Sequence, residues 1–456
     1  MKKDEVVTKA VEAPAELLEK TIEVSEEISH TLHGDKTAQR TKDYWHTLGP
    51  GLTTGASDDD PSGIGTYSQA GAQYGFQLLW LSAFTFPLMA IVQEMCARIG
   101  IVTGRGLASN IRTIYSRKAL YVCALLLFCA NTFNIGADLG AMSKSIQLLV
   151  PSWNFIILIV GLTILMLWLQ IFTPYDKYAK YLKWLSLVLF AYVISAFLAH
   201  LNWGHVLQHA VIPRITFSKN QLLLICGILG TTISPYLFFW QTSQEVEDKI
   251  SHGETTIKKR QESASPAEVH KMRVDVWSGM LLSNVAMFFI IAACGALLFT
   301  HGVTNIQSAS QAAQALKPFA GNATYFLFMV GIIGVGLLAI PVLAGSSSYA
   351  ITESLNQPGS LGMKLKQGHA FYGIIIISML VGLAINFIGL NPIKALIYAA
   401  ILNGLVAPVV LIYILLLSNN RKIMGEWVNG KWTKLFGWIT ILLMSASGIA
   451  AIVSMF

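Results

Sequence analysis

Long apolar segments alternate with short polar ones along most of this 456-residue chain. An apolar stretch of 18 residues or more can cross the roughly 30 Å of hydrocarbon in a bilayer as a helix. The pattern therefore predicts an all-α polytopic membrane protein with eleven spans. Their predicted limits are 47–73, 76–98, 119–149, 153–173, 182–200, 221–244, 274–300, 322–350, 370–390, 393–418 and 435–455.

Two polar segments do not follow this pattern of apolar spans. Residues 1–45 are polar and mixed in charge, which is typical of a solvated cytoplasmic tail. They lack the apolar core of a signal peptide, so no cleaved signal is expected. Residues 245–273 are rich in Lys, Glu and Ser, and we expect a flexible cytoplasmic loop there.

The distribution of Lys and Arg predicts the orientation. Charged residues make up 12% of the chain, about half of the roughly 25% in an average soluble domain. With the N-terminus inside, 27 of the 32 Lys and Arg residues lie on the cytoplasmic side and five lie outside. The positive-inside rule thus predicts a bacterial-type inner or plasma membrane protein whose C-terminus is outside. These flanking cations explain the net charge of +7, so no nucleic-acid partner is expected.

Cysteine and histidine form no recognisable metal motif in the sequence. The five cysteines fall in apolar segments without CxxC spacing, so neither a disulfide framework nor a zinc site is expected. His205, His209 and His301 lie in predicted outer loops without regular ligand spacing. We therefore expect no surface metal site at these histidines.

The first span contains residues that an undisturbed membrane helix does not tolerate. Asp58, Asp59 and Asp60 precede Pro61, and Gly63 follows two residues later. Proline lacks an N–H and glycine loosens the backbone, so the helix is expected to break here. Irregular backbone at membrane depth occurs only inside protein or beside a watery cavity, and an acid at that depth indicates a functional site.

A second interruption lies in the sixth span. Glycines and hydroxyl side chains precede Pro235 within residues 227–236. A lone proline is most often a kink. Two breaks five spans apart favour instead an inverted-repeat transporter with its site at the midplane. We assign 46–200 and 221–418 to the two five-helix repeats, and 419–456 to a loop and an eleventh helix.

Three segments resemble the NRAMP family of divalent-metal transporters. Asp60-Pro61 with residues 69–75 resembles the family's first span, 97–104 its loop after the second span, and 421–429 its signature after the tenth. The resemblance covers residues 47–455 and implies a LeuT-like 5+5 inverted repeat, with discontinuous helices 1 and 6 and eleven transmembrane helices.

The sequence departs from the family at the ion site. The family's Asp-Pro-Gly-Asn reads Asp60-Pro61-Ser62-Gly63 here, and its Met-Pro-His reads Ser234-Pro235-Tyr236. A thioether favours softer transition metals, whereas carboxylate, carbonyl, hydroxyl and water oxygens suit Mg²⁺, Ca²⁺ and Mn²⁺. The chain in this respect resembles the NRAMP-related magnesium transporters, which also lack the methionine. The candidate metal-site residues are Asp60, Thr231, Ser234, Asp59, Asp58 and Gly63.

Asp60 is the ligand that the motif match favours most. On a regular helix, Asp58, Asp59 and Asp60 would project about 100° apart and could not share one ion, although around an unwound segment two of them could. Like charges this close repel, so we expect at least one to bind a proton or to face the aqueous vestibule.

Proton coupling is expected to be weak or absent. The family's histidine in span six is Tyr236 here, and of its span-three acids only Asp138 remains. Glu94 is a further intramembrane acid, and Asn403 lies near the family's span-ten glutamine position, which is Ala400. The residues considered for a proton pathway or for supporting the site are Tyr236, Asp138, Glu94 and Asn403. Helix packing is the alternative for the two acids, and interhelical hydrogen bonding is expected of Asn131, Asn134, Asn284 and Asn403.

The sequence thus predicts a secondary transporter that moves Mg²⁺, and also Mn²⁺, by alternating access. One alternative is a proton-coupled Mn²⁺/Fe²⁺ importer, and another is a LeuT-like carrier of an organic solute or anion. The contexts of Asp58 and Asp138 do not match those of intramembrane aspartyl proteases, so no enzyme is expected. The expected partners are the transported ion and the lipid bilayer, with no cofactor, and a monomer is the expectation.

Overall fold

The computed structural model describes residues 44, 47–173, 177, 180–181, 184–198, 201–306, 309–389 and 392–455. The described residues up to Leu48 belong to one unit and those from Gly49 onward to a second. Of the predicted tail of residues 1–45, only residue 44 is among the described residues. The described part is helical and contains no strand. Its α-helices are α1 (Pro50–Asp58), α2 (Pro61–Tyr74), α3 (Trp80–Thr103), α4 (Leu107–Ile114), α5 (Arg117–Leu149), α6 (Phe155–Phe172), α7 (Phe190–Leu198), α8 (Trp203–Val211), α9 (Lys219–Thr232), α10 (Pro235–Ser251), α11 (Ile257–Glu262), α12 (Pro266–Leu297), α13 (Ala309–Ser354), α14 (His369–Ile385), α15 (Pro392–Ser418), α16 (Arg421–Met424) and α17 (Lys431–Met455).

Each of the eleven predicted spans has a helical counterpart among the described residues. In the part of the chain that the structure describes, eight segments are long and apolar enough to cross a membrane, with α9 and α10 counted together. Helix α14 and Leu187–Leu198 are shorter apolar helices. The remaining predicted span corresponds to α1 followed by α2. The largest difference is at α13, which begins at Ala309 rather than at residue 322.

The prediction of a flexible loop at residues 245–273 is wrong. Helix α10 continues to Ser251, α11 follows, and α12 begins at Pro266. The Lys249 ammonium is buried and donates to the Arg260 carbonyl at 2.9 Å and to Ser263 Oγ at 2.7 Å. Arg260 Nε in turn donates to the Gly104 carbonyl at the end of α3, 2.9 Å away. The polar composition of this segment does not indicate a loop, because Lys249 and Arg260 are buried and hydrogen-bonded inside the protein.

Glycines allow α12 to lie against both halves of the first broken span. A Cβ atom at Gly55 would overlap the backbone of Gly279 on α12, and one at Gly71 would lie 2.6 Å from the Ile291 carbonyl. Small residues are typical of membrane helix pairs whose backbones approach closely. This packing fixes α1 and α2 against one continuous helix, although their own backbone is interrupted.

Candidate functional site

The first break lies where the carboxylates and the proline predicted it. Helix α1 ends at Asp58, and Asp60 is in an extended conformation before Pro61, the first residue of α2. Proline fits the first helical position because its missing N–H would have no helical partner there. The other end of α1 is held by Asp275 on α12, which accepts from the N–H groups of Gly49, Gly51 and Leu52 at 2.7–2.9 Å.

Asp60 is the N-cap of α2 and is completely buried. Its Oδ1 accepts from Ser62 Oγ at 2.5 Å and from Gly63 N at 2.7 Å, and its Oδ2 accepts from Asn134 Nδ2 at 2.7 Å. The N-terminus of a helix also carries positive partial charge that favours a carboxylate. Asp60 is therefore oriented by its surroundings.

The second break is built in the same way. Helix α9 ends at Thr232, and Ser234 is extended before Pro235, the first residue of α10. Ser234 Oγ donates to the carbonyls of Gly230 at 2.8 Å and Thr231 at 2.7 Å. These carbonyls belong to the last turn of α9, where helical partners are missing. Ser234 thus stabilises the break while its oxygen lone pairs stay available.

The two breaks contact each other. Tyr236 OH, in the first turn of α10, donates to the Ser57 carbonyl in the last turn of α1 at 3.0 Å. Thr231 Oγ1 lies 3.0 Å from the position that a Cβ atom would take at Gly63. Gly63 therefore provides space beside Thr231 and an N–H to Asp60. Its place among the metal-site residues stays a prediction.

Asp58 and Asp59 are also completely buried, and no carboxylate of the three faces an aqueous vestibule in this conformation. That part of the expectation is corrected. Asp58 Oδ2 accepts from Ser283 Oγ on α12 at 2.8 Å, whereas Asp58 Oδ1 and both Asp59 oxygens have no hydrogen-bond partner in the described part of the chain. Across the described residues, no three His, Cys, Asp or Glu side chains converge as a metal cage. A cation here would therefore have fewer than three carboxylate ligands and would need neutral oxygens as well.

Neutral and acidic oxygens without partners surround the breaks. A buried polar atom without a hydrogen bond costs about 1–3 kcal/mol, so a group of them in a native fold indicates an ion or water site. The unpartnered atoms in the described chain include Thr231 Oγ1, Asn134 Oδ1, both Asp138 carboxylate oxygens and both polar atoms of the Asn403 amide. The expected interhelical hydrogen bond of Asn403 is thus absent. The set is dominated by oxygen, the donor type that hard divalent cations prefer.

Glu94 does not belong to this group. Its Oε1 accepts from Arg273 Nη2 at 2.9 Å and lies 3.5 Å from Arg98 Nη1, and its Oε2 accepts from Trp277 Nε1 at 2.9 Å. Two guanidinium groups and an indole N–H therefore hold its carboxylate. Glu94 thus joins α3 to α12, which is the helix-packing alternative considered for it, and its part in a proton pathway stays a prediction.

Sequence reasoning missed the part that Asn134 takes in the site. It was predicted only to join helices, as Asn131 does by donating to the Leu343 carbonyl and to two serines of α13. Asn134 joins α5 to Asp60 itself. The sequence feature that could have indicated this is the position of Asn134 one helical turn before Asp138, since this spacing places both residues on one face of α5.

Comparisons with known proteins agree with this architecture. The family model "Natural resistance-associated macrophage protein-like" (Nramp) matches residues 51–454. A divalent metal cation transporter MntH of Klebsiella pneumoniae is 26% identical over 413 residues, covering 88% of this chain and 92% of that protein. The MntH of Clostridium acetobutylicum is 23% identical over 415 residues, covering 86% and 87%.

Two solved structures share the fold. The Eremococcus coleocola manganese transporter superposes with a TM-score of 0.67 at 19% identity, covering 91% of this chain and 87% of that one. Mhp1, a nucleobase-cation-symport-1 family transporter, superposes with a TM-score of 0.56 at 16% identity, covering 89% and 91%. The predicted LeuT-like all-α fold is thereby confirmed. The chain belongs to the Nramp family of membrane transporters.

Proposed function

We propose that this protein carries divalent cations across the membrane by alternating access, favouring Mg²⁺ and also accepting Mn²⁺. The observation that supports this most directly is the buried Asp60 carboxylate at the point where two broken helices meet. Asp60 is the principal ligand, and Thr231 and Ser234 supply hydroxyl oxygens from the second break. The Asn134 carbonyl oxygen is a further donor, because its amide N–H₂ already points at Asp60. As in other family members, the ion is the cargo and no cofactor is involved.

The preference for Mg²⁺ rests on the hardness of these donors. Magnesium keeps several waters and binds through one or two carboxylates, which suits a site with one positioned carboxylate and several neutral oxygens. Where the family has methionine, this chain has Ser234, whose hydroxyl donates to the last turn of α9. Where the family has histidine, it has Tyr236, whose phenol donates to the Ser57 carbonyl. Neither group is a soft ligand.

Mn²⁺ as the main substrate is the second candidate. The relatives are named as divalent metal cation transporters, and one structural neighbour as a manganese transporter. One thioether also lies near the second break, because Met287 Sδ on α12 is 4.0 Å from Thr232 Oγ1. Thr232 projects about 100° from Thr231 on α9, so this sulfur lies beside a different face of the helix.

Weak or absent proton coupling is part of the proposal. Tyr236 is a poor proton shuttle at neutral pH, because a phenol titrates far above it. Its hydroxyl is also engaged with Ser57, and Glu94 is paired with arginines. Asp138 remains the one intramembrane acid near the site with unpartnered oxygens among those considered for a proton pathway.

The test is uptake of labelled Mn²⁺ into proteoliposomes with and without millimolar Mg²⁺. We expect Mg²⁺ to compete in the wild type, and Asp60→Asn to reduce uptake by about tenfold or more, equivalent to about 1.4 kcal/mol of lost ion binding. Asp248→Asn makes the same chemical change at a half-exposed side chain of α10 and should leave uptake unchanged.

Each alternative has its own outcome in this experiment. Mn²⁺ uptake that ignores excess Mg²⁺ would favour the Mn²⁺/Fe²⁺ importer. Absence of any Asp60-dependent cation flux would favour a carrier of organic solutes. A pH dye inside the liposomes tests coupling, because robust acidification on adding outer Mg²⁺ would contradict weak coupling.

A further inference from the structure

Helix α8 brings two histidines together at the end of the molecule that the charge pattern places outside. The sequence showed this region only as a loop, yet residues Trp203–Val211 are helical. His205 and His209 are therefore one turn apart on one face, and their ring centroids are 4.5 Å apart. The expectation that these histidines lack ligand spacing was wrong, because two histidines at i and i+4 of a helix form a metal-ligand pair.

The hydrogen bond of His209 leaves a metal-binding nitrogen available. His209 Nδ1 is 2.9 Å from the His205 carbonyl oxygen, which can only accept a hydrogen bond. In a neutral His209 ring the proton is therefore on Nδ1, and the lone pair is on Nε2. A backbone carbonyl bound to the second ring nitrogen is the usual arrangement behind histidines that ligate metals. His205 is exposed, so an ion can approach from solvent.

We propose that His205 and His209 form an outer binding site for a transition-metal ion of the Cu²⁺, Ni²⁺ or Zn²⁺ class, with water completing its coordination. Two imidazole nitrogens suit these ions and not Mg²⁺. The site therefore differs in donor type from the oxygen-rich site at Asp60. Affinity should follow the usual order for divalent ions, with Cu²⁺ strongest and Mn²⁺ weakest.

Phe76 links this site to the transport machinery. Its ring centroid is 5.5 Å from that of His205 and 6.0 Å from that of His209. Phe76 lies two residues after the end of α2, the half-helix that Asp60 caps at its other end. An ion that fixes both imidazoles against Phe76 would restrain α2. Binding at the histidine pair should therefore inhibit transport without competing for Asp60.

The binding test uses Cu²⁺ with the purified full-length protein and electron paramagnetic resonance. The wild type should show a signal from Cu²⁺ bound through two imidazole nitrogens. His205→Gln should weaken this component by about tenfold or more, since changes even behind the ligands cost that much. His205 is exposed, so this variant should keep the fold, whereas His209 is buried. The chain has ten histidines, so the comparison between variants carries the result.

Two matched variants complete the binding test. His301→Gln changes another histidine at the same end of the molecule, and Asp60→Asn removes the proposed transport ligand. Both should retain the two-imidazole component. An unchanged Cu²⁺ signal in His205→Gln, or its equal loss in His301→Gln, would overturn the proposal. This readout does not require transport, so it is independent of the proposed function.

The transport arm measures inhibition of Mn²⁺ uptake by Zn²⁺ added on each side of the membrane. Zn²⁺ outside should inhibit the wild type, and His205→Gln should need about tenfold more Zn²⁺ for the same effect. Phe76→Leu should keep Cu²⁺ binding while losing inhibition, because the link to α2 is removed. Inhibition that competes with Mn²⁺ and persists in His205→Gln would place Zn²⁺ at the transport site instead.

Discussion

Asp60 caps a helix and is the ligand that we propose for the transported ion. A carboxylate has about four lone-pair positions, and Ser62, Gly63 and Asn134 use three of them. The remaining position suits one bond to an ion, so the other ligands must come from neutral oxygens or water. This agrees with the absence of a three-residue acid or histidine cage among the described residues.

Asn134 provides a prediction at the residue scale. Asn134→Ala leaves Asp60 Oδ2 buried without its donor, which should cost about 1–3 kcal/mol and raise the KM for Mn²⁺ uptake. Asn131→Ala is the matched control, because Asn131 lies one turn earlier on α5 and its Nδ2 donates to Leu343, Ser346 and Ser347 of α13. Both variants should lower the melting temperature. Equal changes of KM in the two variants would show that Asn134 acts only through stability.

Local motifs predicted which residues carry the chemistry, but not their partners. Asp60 followed from the proline and glycines beside it. Ser283, which donates to Asp58, lies 225 residues away in the chain, and Arg273, which pairs with Glu94, lies 179 residues away. Contacts across such separations depend on how the helices pack, and one sequence does not show this. The ion pair of Glu94 with Arg273 was therefore not predicted.

At the scale of elements, proline determined the positions of both breaks. Pro61 and Pro235 each begin a new helix, as their missing N–H groups require. Helices α4, α8 and α11 were not predicted, because each has nine residues or fewer. Such short helices are marginal by themselves and are stabilised by tertiary contacts, so the local sequence pattern indicates them weakly.

Helix packing around the first break gives the second prediction. Gly55→Ala would place a Cβ against the backbone of Gly279, and backbone cannot rotate away as a side chain can. We expect a destabilisation of about 1–3 kcal/mol and reduced uptake, because α1 must move away from α12. Thermal unfolding in detergent and Mn²⁺ uptake measure both effects.

The control for this variant is Gly161→Ala on α6, where a new Cβ would meet no atom within 4 Å. It makes the same chemical change in another membrane helix and should leave stability and uptake near wild type. If Gly55→Ala behaved like Gly161→Ala, the close α1–α12 contact would not be needed for the position of the break.

At the scale of the whole molecule, two hydrogen-bonded acids, Glu353 and Glu247, join helices at the end where the Lys and Arg pattern predicts the cytoplasm. Glu353 on α13 accepts from Ser109 N at the start of α4, 2.9 Å away, and from Ser243 Oγ on α10, 3.2 Å away. Glu247 on α10 accepts from Tyr349 OH at 2.7 Å and from Ser360 Oγ at 2.8 Å. Helix α10 is therefore bonded to α13, and through Glu353 to α4, in its C-terminal half, away from the break at Ser234.

Alternating access requires these contacts to open and close, and Glu353 gives the prediction. Glu353→Ala removes both hydrogen bonds, each worth about 0.5–3 kcal/mol. This should shift the equilibrium toward a conformation open on the cytoplasmic side. Thr231→Cys, introduced after the native cysteines are replaced, reports the shift, because position 231 is buried at the second break.

We expect a membrane-impermeant thiol reagent to label Cys-substituted Thr231 about tenfold faster from the cytoplasmic side when Glu353→Ala is present. Labelling from outside should become slower, since one equilibrium connects the two openings. The control is Glu262→Ala, which removes an exposed acid of α11 and should change neither labelling rate. Faster labelling from both sides would indicate general loosening, because a gate that opens inward must close outward.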